Sequence, residues 1–121
     1  MTGPCVFCEI VAERSPAKVL TNWLYSHIIV PLNPVVDGHV IAISNRHLID
    51  ALDIPMITGM VMDEAAAWAR QQAITNPKYM SVNFITSVGI PATQSINHLH
   101  IHIVPRAIGD GLMLPWTNQK V

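Results

Sequence analysis

Three histidines at alternating positions are the most chemically suggestive feature of the sequence. His98, His100 and His102 stand in the segment His-Leu-His-Ile-His-Ile. Alternate side chains of a β-strand share one face, so the three imidazoles are predicted to line one face of a strand at intervals of roughly 6.6 Å. Leu99 and Ile101 would then face a hydrophobic core on the other side. Because burying imidazoles without polar partners is costly, this row indicates a functional site.

Imidazole is suited to two kinds of chemistry at neutral pH. Its pKa lies close to 7, so the neutral ring can act as a nucleophile or exchange protons, and it is also a common metal ligand. The row therefore predicts either a nucleophilic site or a catalytic metal site. The metal alternative is the weaker of the two, because an acidic ligand or general base is missing near the row. The nearest carboxylates in sequence are Asp110 and Glu64.

A pair of cysteines near the N-terminus is the second chemical signal. Cys5 and Cys8 stand in the pattern Cys-Val-Phe-Cys. In a cytosolic chain such a pair belongs either to a metal site or to a redox motif. A redox motif of this spacing should follow a strand and open a helix. No strand is predicted ahead of Cys5, so the sequence favours a metal.

The elements that must position these residues follow from hydrophobic periodicity and turn signals. A short helix is expected over residues 9–14. One long helix is predicted to begin with Asp53 as its N-cap and Pro55 in its first turn, and to end before residues 76–77. Residues 88–93 are expected to form a loop. Strand composition predicts five β-strands, over residues 19–25, 28–30, 39–44, 79–86 and 96–104. The expected fold is α+β, an antiparallel sheet with the long helix on one face.

Length and composition narrow the class of protein. The 121 residues suit one domain, spanning residues 1–121. Charged residues make up 12% of the chain, against about 25% in ordinary soluble domains. The net charge of -1, without basic clusters, argues against a nucleic-acid polymer or a polybasic membrane patch as partner. The high hydrophobic content argues against disorder.

The charge-poor stretches are predicted to be buried strands. They lie between Lys18 and Arg46 and between Lys78 and Arg106, and polar residues and prolines interrupt both, which argues against membrane spans. The N-terminus lacks the pattern of a secretory signal, so a cytoplasmic protein is expected. Because few charged groups are left to solvate a large free surface, a homodimer is also expected.

These motifs, taken together, resemble the histidine-triad (HIT) family. The segment at residues 98–104 is similar to the family's His-x-His-x-His followed by two apolar residues, and the cysteine pair to the opening of its bacterial branch. Further similar pieces follow the family's order: Asn33-Pro34, Gly38-His39, Arg46-His47, Gln94-Ser95 and the tail at residues 111–116. The resemblance implies a single HIT-like domain, with an antiparallel sheet of about five strands, one long helix and a short N-terminal helix.

The resemblance also implies an activity and roles for the histidines. Family members bind nucleotides and cleave at the α-phosphate of nucleotidyl compounds, such as phosphoramidates or dinucleoside polyphosphates, through a nucleotidyl-histidine intermediate. Here His100 would be the nucleophile. His102 would contact the phosphate and its leaving group, and His39 would bind the phosphate oxygens. The implied substrate-binding residues are Asn33, Gln94 and Ser95.

A structural zinc ion is a further implication of the resemblance. In several bacterial members, the positions of Cys5, Cys8, His47 and His98 bind Zn²⁺ through two cysteines and two histidines. A closed site with four protein ligands leaves no open position, so the expected role is structural. The ion would hold the N-terminal segment to the strand of the nucleophile and fix the tautomer of His98. The competing interpretation is a pair of reduced, buried thiols.

Three positions depart from the family's pattern. Pro31 stands where members usually carry an aspartate that bonds the ribose hydroxyls, and proline offers neither a side-chain acceptor nor an N–H group. Thr93 replaces a usual glycine, which matters if the backbone there needs a positive φ. Ser87 replaces a common asparagine. Pro31 and Thr93 favour an alternative function, a nucleotide-binding regulatory module with little or no turnover.

Overall fold

The computed structural model describes residues 5–117. Residues 1–4, on which most of the expectation about a secretory signal depends, lie outside the described residues. In chain order the elements are α1 (Val6–Val11), β1 (Lys18–Asn22), β2 (Ser26–Val30), β3 (Val40–Ser44), α2 (Pro55–Thr75), β4 (Val82–Ile85) and β5 (His100–Pro105). Within residues 5–117, no helix combines the length and apolar character that crossing a membrane requires.

The five strands form one antiparallel sheet in the order β1-β2-β3-β5-β4. The predicted α+β class, with one long helix and a short N-terminal helix, is confirmed. In the register of β3 and β5, Ile43 lies opposite His100 and Ile41 lies opposite His102. The histidine strand β5 is therefore an interior strand, between the edge strand β4 and the fully buried central strand β3.

A hydrophobic core covers each face of the sheet. On one face, α2 packs Val61, Ala65 and Trp68 against a cluster that includes Leu99 and Ile101. On the other face, α1 contributes Phe7 and Ile10 to a smaller cluster with Ile29, Ile41 and Ile43. Because both faces are covered, β3 is apolar without the polar alternation of a half-exposed strand.

The start of the long helix differs from the sequence prediction. Pro55 is in the first turn as expected, but the N-cap is Ile54, without a side-chain cap. The Asp53 carboxylate instead accepts a hydrogen bond from the Ile49 N–H at 2.9 Å. The side chain thus stabilises the preceding loop rather than the helix.

Strand lengths also differ from the predictions. Residues 77–80 form a 3₁₀ turn, and the Asn76 side chain accepts a hydrogen bond from the Lys78 N–H, so Tyr79 precedes β4 instead of opening it. The predicted start of β5 at residue 96 is wrong, because β5 begins at His100. The His98 N–H bonds the Ile96 carbonyl at 2.9 Å, and this local turn delays the strand. Only His100 and His102 therefore share a strand face.

Candidate active site and metal centre

His100 is held in the tautomer that a nucleophile needs. Its Nδ1 lies 2.6 Å from the His98 carbonyl oxygen, which can only accept, so Nδ1 carries the hydrogen. Burial lowers the pKa of His100, so the ring is neutral near pH 7 and Nε2 keeps a free electron pair. The Phe7 ring meets the imidazole edge-on, with centroids 5.2 Å apart. Nε2 is therefore the ring atom that could attack an electrophilic centre in the cavity.

A relay of hydrogen bonds sets the opposite tautomer in His102. The Val35 N–H donates to His39 Nδ1 at 3.0 Å, so the hydrogen of His39 is on Nε2. That Nε2 lies 2.9 Å from His102 Nδ1, which must accept. The remaining nitrogen of His102, Nε2, therefore carries a hydrogen. Burial lowers the pKa of His102 to about 4, so the ring is a neutral donor at pH 7.

His39 lies behind His102. It is buried, and both of its ring nitrogens are engaged. This geometry lets His39 orient His102, and the predicted contact of His39 with phosphate oxygens stays a prediction. The preceding Gly38 adopts a φ of +91°, and a Cβ there would approach the Lys78 side chain to 2.7 Å. A residue with a Cβ at position 38 would therefore require the Lys78 side chain to shift, and glycine avoids this contact.

Gln94 supports the loop beside the histidines from within. Its Oε1 accepts from the Gly89 N–H at 2.9 Å, and its Nε2 donates to the Ile49 carbonyl at 2.7 Å and the Ile96 carbonyl at 3.1 Å. The side chain is buried. Gln94 therefore shapes the loop, whereas the predicted binding residue Ser95 is exposed at the cavity.

Thr93 adopts the left-handed backbone conformation, with φ at +71° and ψ at 24°. Such a conformation is strained for a β-branched residue and costs on the order of 1 kcal/mol. Its hydroxyl bonds the Ala92 carbonyl at 2.5 Å. The concern raised by the sequence, that this position needs a positive φ, is confirmed.

A cavity of about 630 Å³ opens in front of His100 and His102. The predicted binding residues Asn33 and Ser95 line it, and Gln94 lies behind its wall. Two other lining residues were missed by the sequence reasoning. Lys18 brings a positive charge, and Phe7 forms part of the apolar wall. The pairing of Lys18 with Val30 at the start of β1 brings Lys18 to this end of the sheet, and spacing alone gave no signal of it.

A second concavity, of about 500 Å³, lies between β1 and α2. It contains Trp23 and Trp68, and none of its described lining residues is titratable. The described lining of this second concavity therefore offers no group for acid–base chemistry.

Cys5, Cys8, His47 and His98 come together as predicted. One ligand atom of each lies within 4.8 Å of all the others. The separations from Cys5 Sγ to His98 Nδ1 and from Cys8 Sγ to His47 Nδ1 are 3.3 and 3.1 Å. Zinc bonds of about 2.3 Å to sulfur and 2.0 Å to nitrogen place tetrahedral ligand atoms roughly 3.3–3.8 Å apart. The donor set thus fits a closed zinc site.

The surroundings prepare His98 for a metal. Its Nε2 lies 2.7 Å from the Ser44 carbonyl, so Nε2 carries the hydrogen and Nδ1 is left as a ligand atom. Cys5 is the N-cap of α1 and Cys8 lies in its first turn, a spacing that puts both thiols on one side of the helix. Burial, followed by the neighbouring Cys5, raises the pKa of the Cys8 thiol to about 11, so a bound metal would have to displace its proton.

One residue belongs to both centres. The ring of His98 faces the cysteines, and its carbonyl oxygen accepts the hydrogen bond from His100. The Phe7 ring packs edge-on against both imidazoles, with centroid separations of 5.7 and 5.2 Å. The metal centre and the nucleophile are therefore adjacent, and α1 contributes to both.

Comparison with known proteins agrees with this geometry. A family model described as the HIT domain matches residues 12–108. An uncharacterised HIT-like protein of Mycobacterium tuberculosis is 31% identical over 114 residues, which cover 90% of this chain and 76% of that protein. An adenosine 5′-monophosphoramidase of Saccharomyces cerevisiae is 28% identical over 121 residues, which cover 99% of this chain and 74% of the yeast protein.

Solved structures of HIT family proteins are also similar to this chain. A Zn-bound histidine triad family protein from Mycobacterium smegmatis has a TM-score of 0.82 at 29% identity, and the match covers 91% of this chain and 80% of that chain. A HIT family protein from Bacillus anthracis, at 21% identity, shares the fold with a TM-score of 0.84 over 98% of this chain and 85% of its own. Because the HIT domain match spans most of the sequence, the chain belongs to the HIT family.

Proposed function

We propose that the protein is a nucleotidyl hydrolase or transferase that acts through a covalent intermediate on His100. The observation that carries the proposal is the pair of opposite tautomers on one face of β5. His100 presents a free Nε2 electron pair, and His102 presents an Nε2–H donor beside it. The yeast relative that is named as an adenosine 5′-monophosphoramidase supports a nucleotidyl substrate.

In the first step, His100 Nε2 attacks the α-phosphorus of the substrate. The Nε2–P bond forms while the bond from phosphorus to the leaving group breaks, and the leaving group departs with that electron pair. When the substrate is a phosphoramidate protonated on nitrogen, the P–N bond breaks and the nitrogen departs as a neutral amine. The positive charge that develops on His100 is stabilised by the hydrogen bond from Nδ1–H to the His98 carbonyl.

In the second step, water or another acceptor attacks the same phosphorus. The Nε2–P bond breaks, its electron pair returns to His100, and the acceptor's proton passes to solvent. His102 Nε2–H donates a hydrogen bond to the leaving atom in the first step and to a phosphoryl oxygen in the second. The positive charge of Lys18 and the exposed hydroxyl of Ser95, both on the cavity wall, would hold the same anionic group.

The proposal includes a structural Zn²⁺ ion held by Cys5, Cys8, His47 and His98. The fit of the donor set and the assigned tautomer of His98 support it. The Zn-bound relative from Mycobacterium smegmatis adds a related precedent. When bound, zinc would supply a structural tie between α1 and the segment before β5. A cytoplasmic homodimer is part of the same proposal.

Kinetics with adenosine 5′-phosphoramidate test the proposed nucleophile. His100→Ala should lower kcat by roughly a thousandfold or more, because the covalent route is lost. His27→Ala is the matched control and should retain activity, since His27 bonds Asn45 at 2.6 Å away from the cavity. Mass spectrometry after an alkaline quench should find a nucleotidyl adduct on wild-type protein.

The same experiment separates the proposal from its alternative. Full turnover by His100→Ala would refute the nucleophile. AMP binding by calorimetry, with no turnover of phosphoramidate or diadenosine tetraphosphate by wild-type protein, would instead indicate a nucleotide-binding regulatory module. The strained Thr93 and the proline at position 31 are the observations that favour this second function.

A further inference from the structure

Away from the two histidines, most of the residues that line the cavity are apolar. Helix α1 contributes Val6, Phe7 and Ile10, and the sheet contributes Ile29 and Ile41. The segment after β2 and the far side of the cavity add four more apolar residues, Pro31, Leu32, Ile85 and Ile96. Such a surface offers hydrophobic contact to an apolar group of the substrate.

The polar groups of the wall are poorly suited to bind a vicinal diol. None of the described lining residues is an aspartate or glutamate, and Lys18, the one formal charge, is only a donor. Neutral hydroxyls are present at Ser87, Thr93 and Ser95, and the amide of Asn33 lies on an exposed segment. Proteins that bind ribose hydroxyls characteristically offer a carboxylate to accept them.

Pro31 is one of the apolar residues on the same wall as the two histidines. It follows directly after Val30, the last residue of β2, and lines the cavity with His100 and His102. Proline has no side-chain acceptor and no N–H group. Together with its neighbour Leu32, it makes this part of the wall apolar.

We propose that the site recognises a phosphoryl group and an apolar moiety attached to it, and does not select for the 2′ and 3′ hydroxyls of a ribose. The inference depends on the proposed function for the phosphoryl end alone. A site built to bond a hydroxyl rejects the analogue that lacks it by a large factor, because its own polar groups are left unpaired. Because none of the described lining residues is a carboxylate, loss of the ribose hydroxyls would leave no carboxylate acceptor of this wall unpaired. Ribose and dideoxyribose substrates should therefore be handled alike.

Two matched ligand pairs test this inference. Adenosine 5′-phosphoramidate is compared with its 2′,3′-dideoxy form by kcat/KM, and AMP with 2′,3′-dideoxyadenosine monophosphate by calorimetry. We expect both ratios to lie within about threefold of one. A preference of thirtyfold or more for the ribose form, or failure of both nucleotides to bind, would overturn the inference.

A substitution at position 31 tests whether Pro31 accounts for the lack of selection for the ribose hydroxyls. Pro31→Asp should introduce a preference of about tenfold for the ribose ligand, because a carboxylate accepts two hydroxyl hydrogens. Leu24→Asp, at a residue that is 80% exposed and outside the cavity, adds the same charge and should keep the wild-type ratio. An unchanged ratio in a folded Pro31→Asp protein would overturn the assignment to Pro31.

The two proposals fail in different ways. If both nucleotides bind equally and neither phosphoramidate is turned over, the proposed catalysis is wrong and the inference about ribose stands. If turnover depends on His100 but strongly prefers the ribose substrate, the proposed catalysis stands and the inference is wrong.

Discussion

At the scale of single residues, the site depends on the tautomers of three imidazoles, those of His39, His100 and His102. A backbone carbonyl sets His100, and a backbone N–H acting through His39 sets His102. Sequence spacing predicted that the row of histidines forms the site. It could not assign a role to His39 behind His102, because that role depends on a hydrogen bond between residues 63 positions apart.

Replacing His39 tests its positioning role. His39→Leu should lower kcat by up to about a hundredfold with little change in KM, because His102 loses the donor that orients it. His39→Gln keeps an N–H donor and should recover part of the loss. The measurement is steady-state kinetics with pH profiles of kcat for both variants. Wild-type kcat in His39→Leu would contradict the role.

Because the backbone at Thr93 is strained, substitution by glycine should change the free energy of unfolding in opposite directions at Thr93 and at its neighbour Ala92. Thr93→Gly should raise the free energy of unfolding by up to about 1 kcal/mol, because glycine adopts a positive φ without steric cost. Ala92→Gly, one residue earlier at a negative φ, should lower it by about 0.5–1 kcal/mol. Urea unfolding measures both. Destabilisation by Thr93→Gly would show that the threonine side chain stabilises the loop.

At the scale of elements, α1 connects the metal centre to the substrate cavity. It carries Cys8 on one side and Phe7 and Ile10 at the cavity wall. Its position therefore affects how the substrate binds more than how His100 reacts. This arrangement predicts that metal loss and catalytic loss are separable.

Removing one metal ligand tests that separation. Cys8→Ser should lose bound zinc, lower the free energy of unfolding by about 3 kcal/mol at zinc a hundredfold above its Kd, and raise KM more than it lowers kcat. Glu9→Gln, which breaks only an exposed pair with Arg14, is the control on the same helix. Metal analysis, thermal unfolding and kinetics give the readouts. Zinc well below one ion per wild-type chain, with reduced cysteines, would refute the site.

The elements show where sequence reasoning succeeds and where it stops. The long helix and the central strands follow from local periodicity, because each buries a face that its own residues define. The start of β5 and the N-cap of α2 depend on contacts made after folding. His98 is fixed by the Ser44 carbonyl, and Asp53 by the Ile49 N–H. The four metal ligands came from family resemblance, since spacing alone does not join residues 5 and 98.

At the scale of the whole molecule, buried histidines make stability depend on pH. The pKa of His102 is lowered from 6.5 to about 4, and that of His39 is also lowered, both chiefly by burial. Between pH 6.5 and 4 the unfolded chain binds the protons that the folded chain does not, so stability falls as pH falls through this window. The contribution of His102 should be on the order of 1 kcal/mol at pH 5, reduced by partial solvent exposure.

Urea unfolding at pH 7 and pH 5 checks this dependence. The wild-type protein should lose more stability between the two pH values than His102→Gln, because the variant has no proton to gain at that position. Both proteins have the same four metal ligands, so the effect of pH on those ligands does not contribute to the difference between them. Equal losses in the two proteins would show that His102 does not contribute.

The surface of a single copy supports the expected homodimer. Large apolar side chains are exposed around the start of α2, with Leu52 and Met56 both 70% exposed. Sedimentation at micromolar concentration should therefore find a species of twice the 13.3 kDa chain mass. Leu52→Glu together with Met56→Glu should shift it toward the monomer if this patch lies in the interface. A 13.3 kDa species of wild-type protein would contradict the expectation.

The two functions of His98 reside in atoms of different kinds. The metal would need its imidazole, which only a few residue types could replace, whereas His100 needs only its carbonyl oxygen, which every amino acid carries. Mutation can therefore erase the zinc centre at this position without changing the atom that orients the nucleophile. A related protein without these metal ligands can therefore keep the backbone hydrogen bond that sets the tautomer of the histidine at position 100.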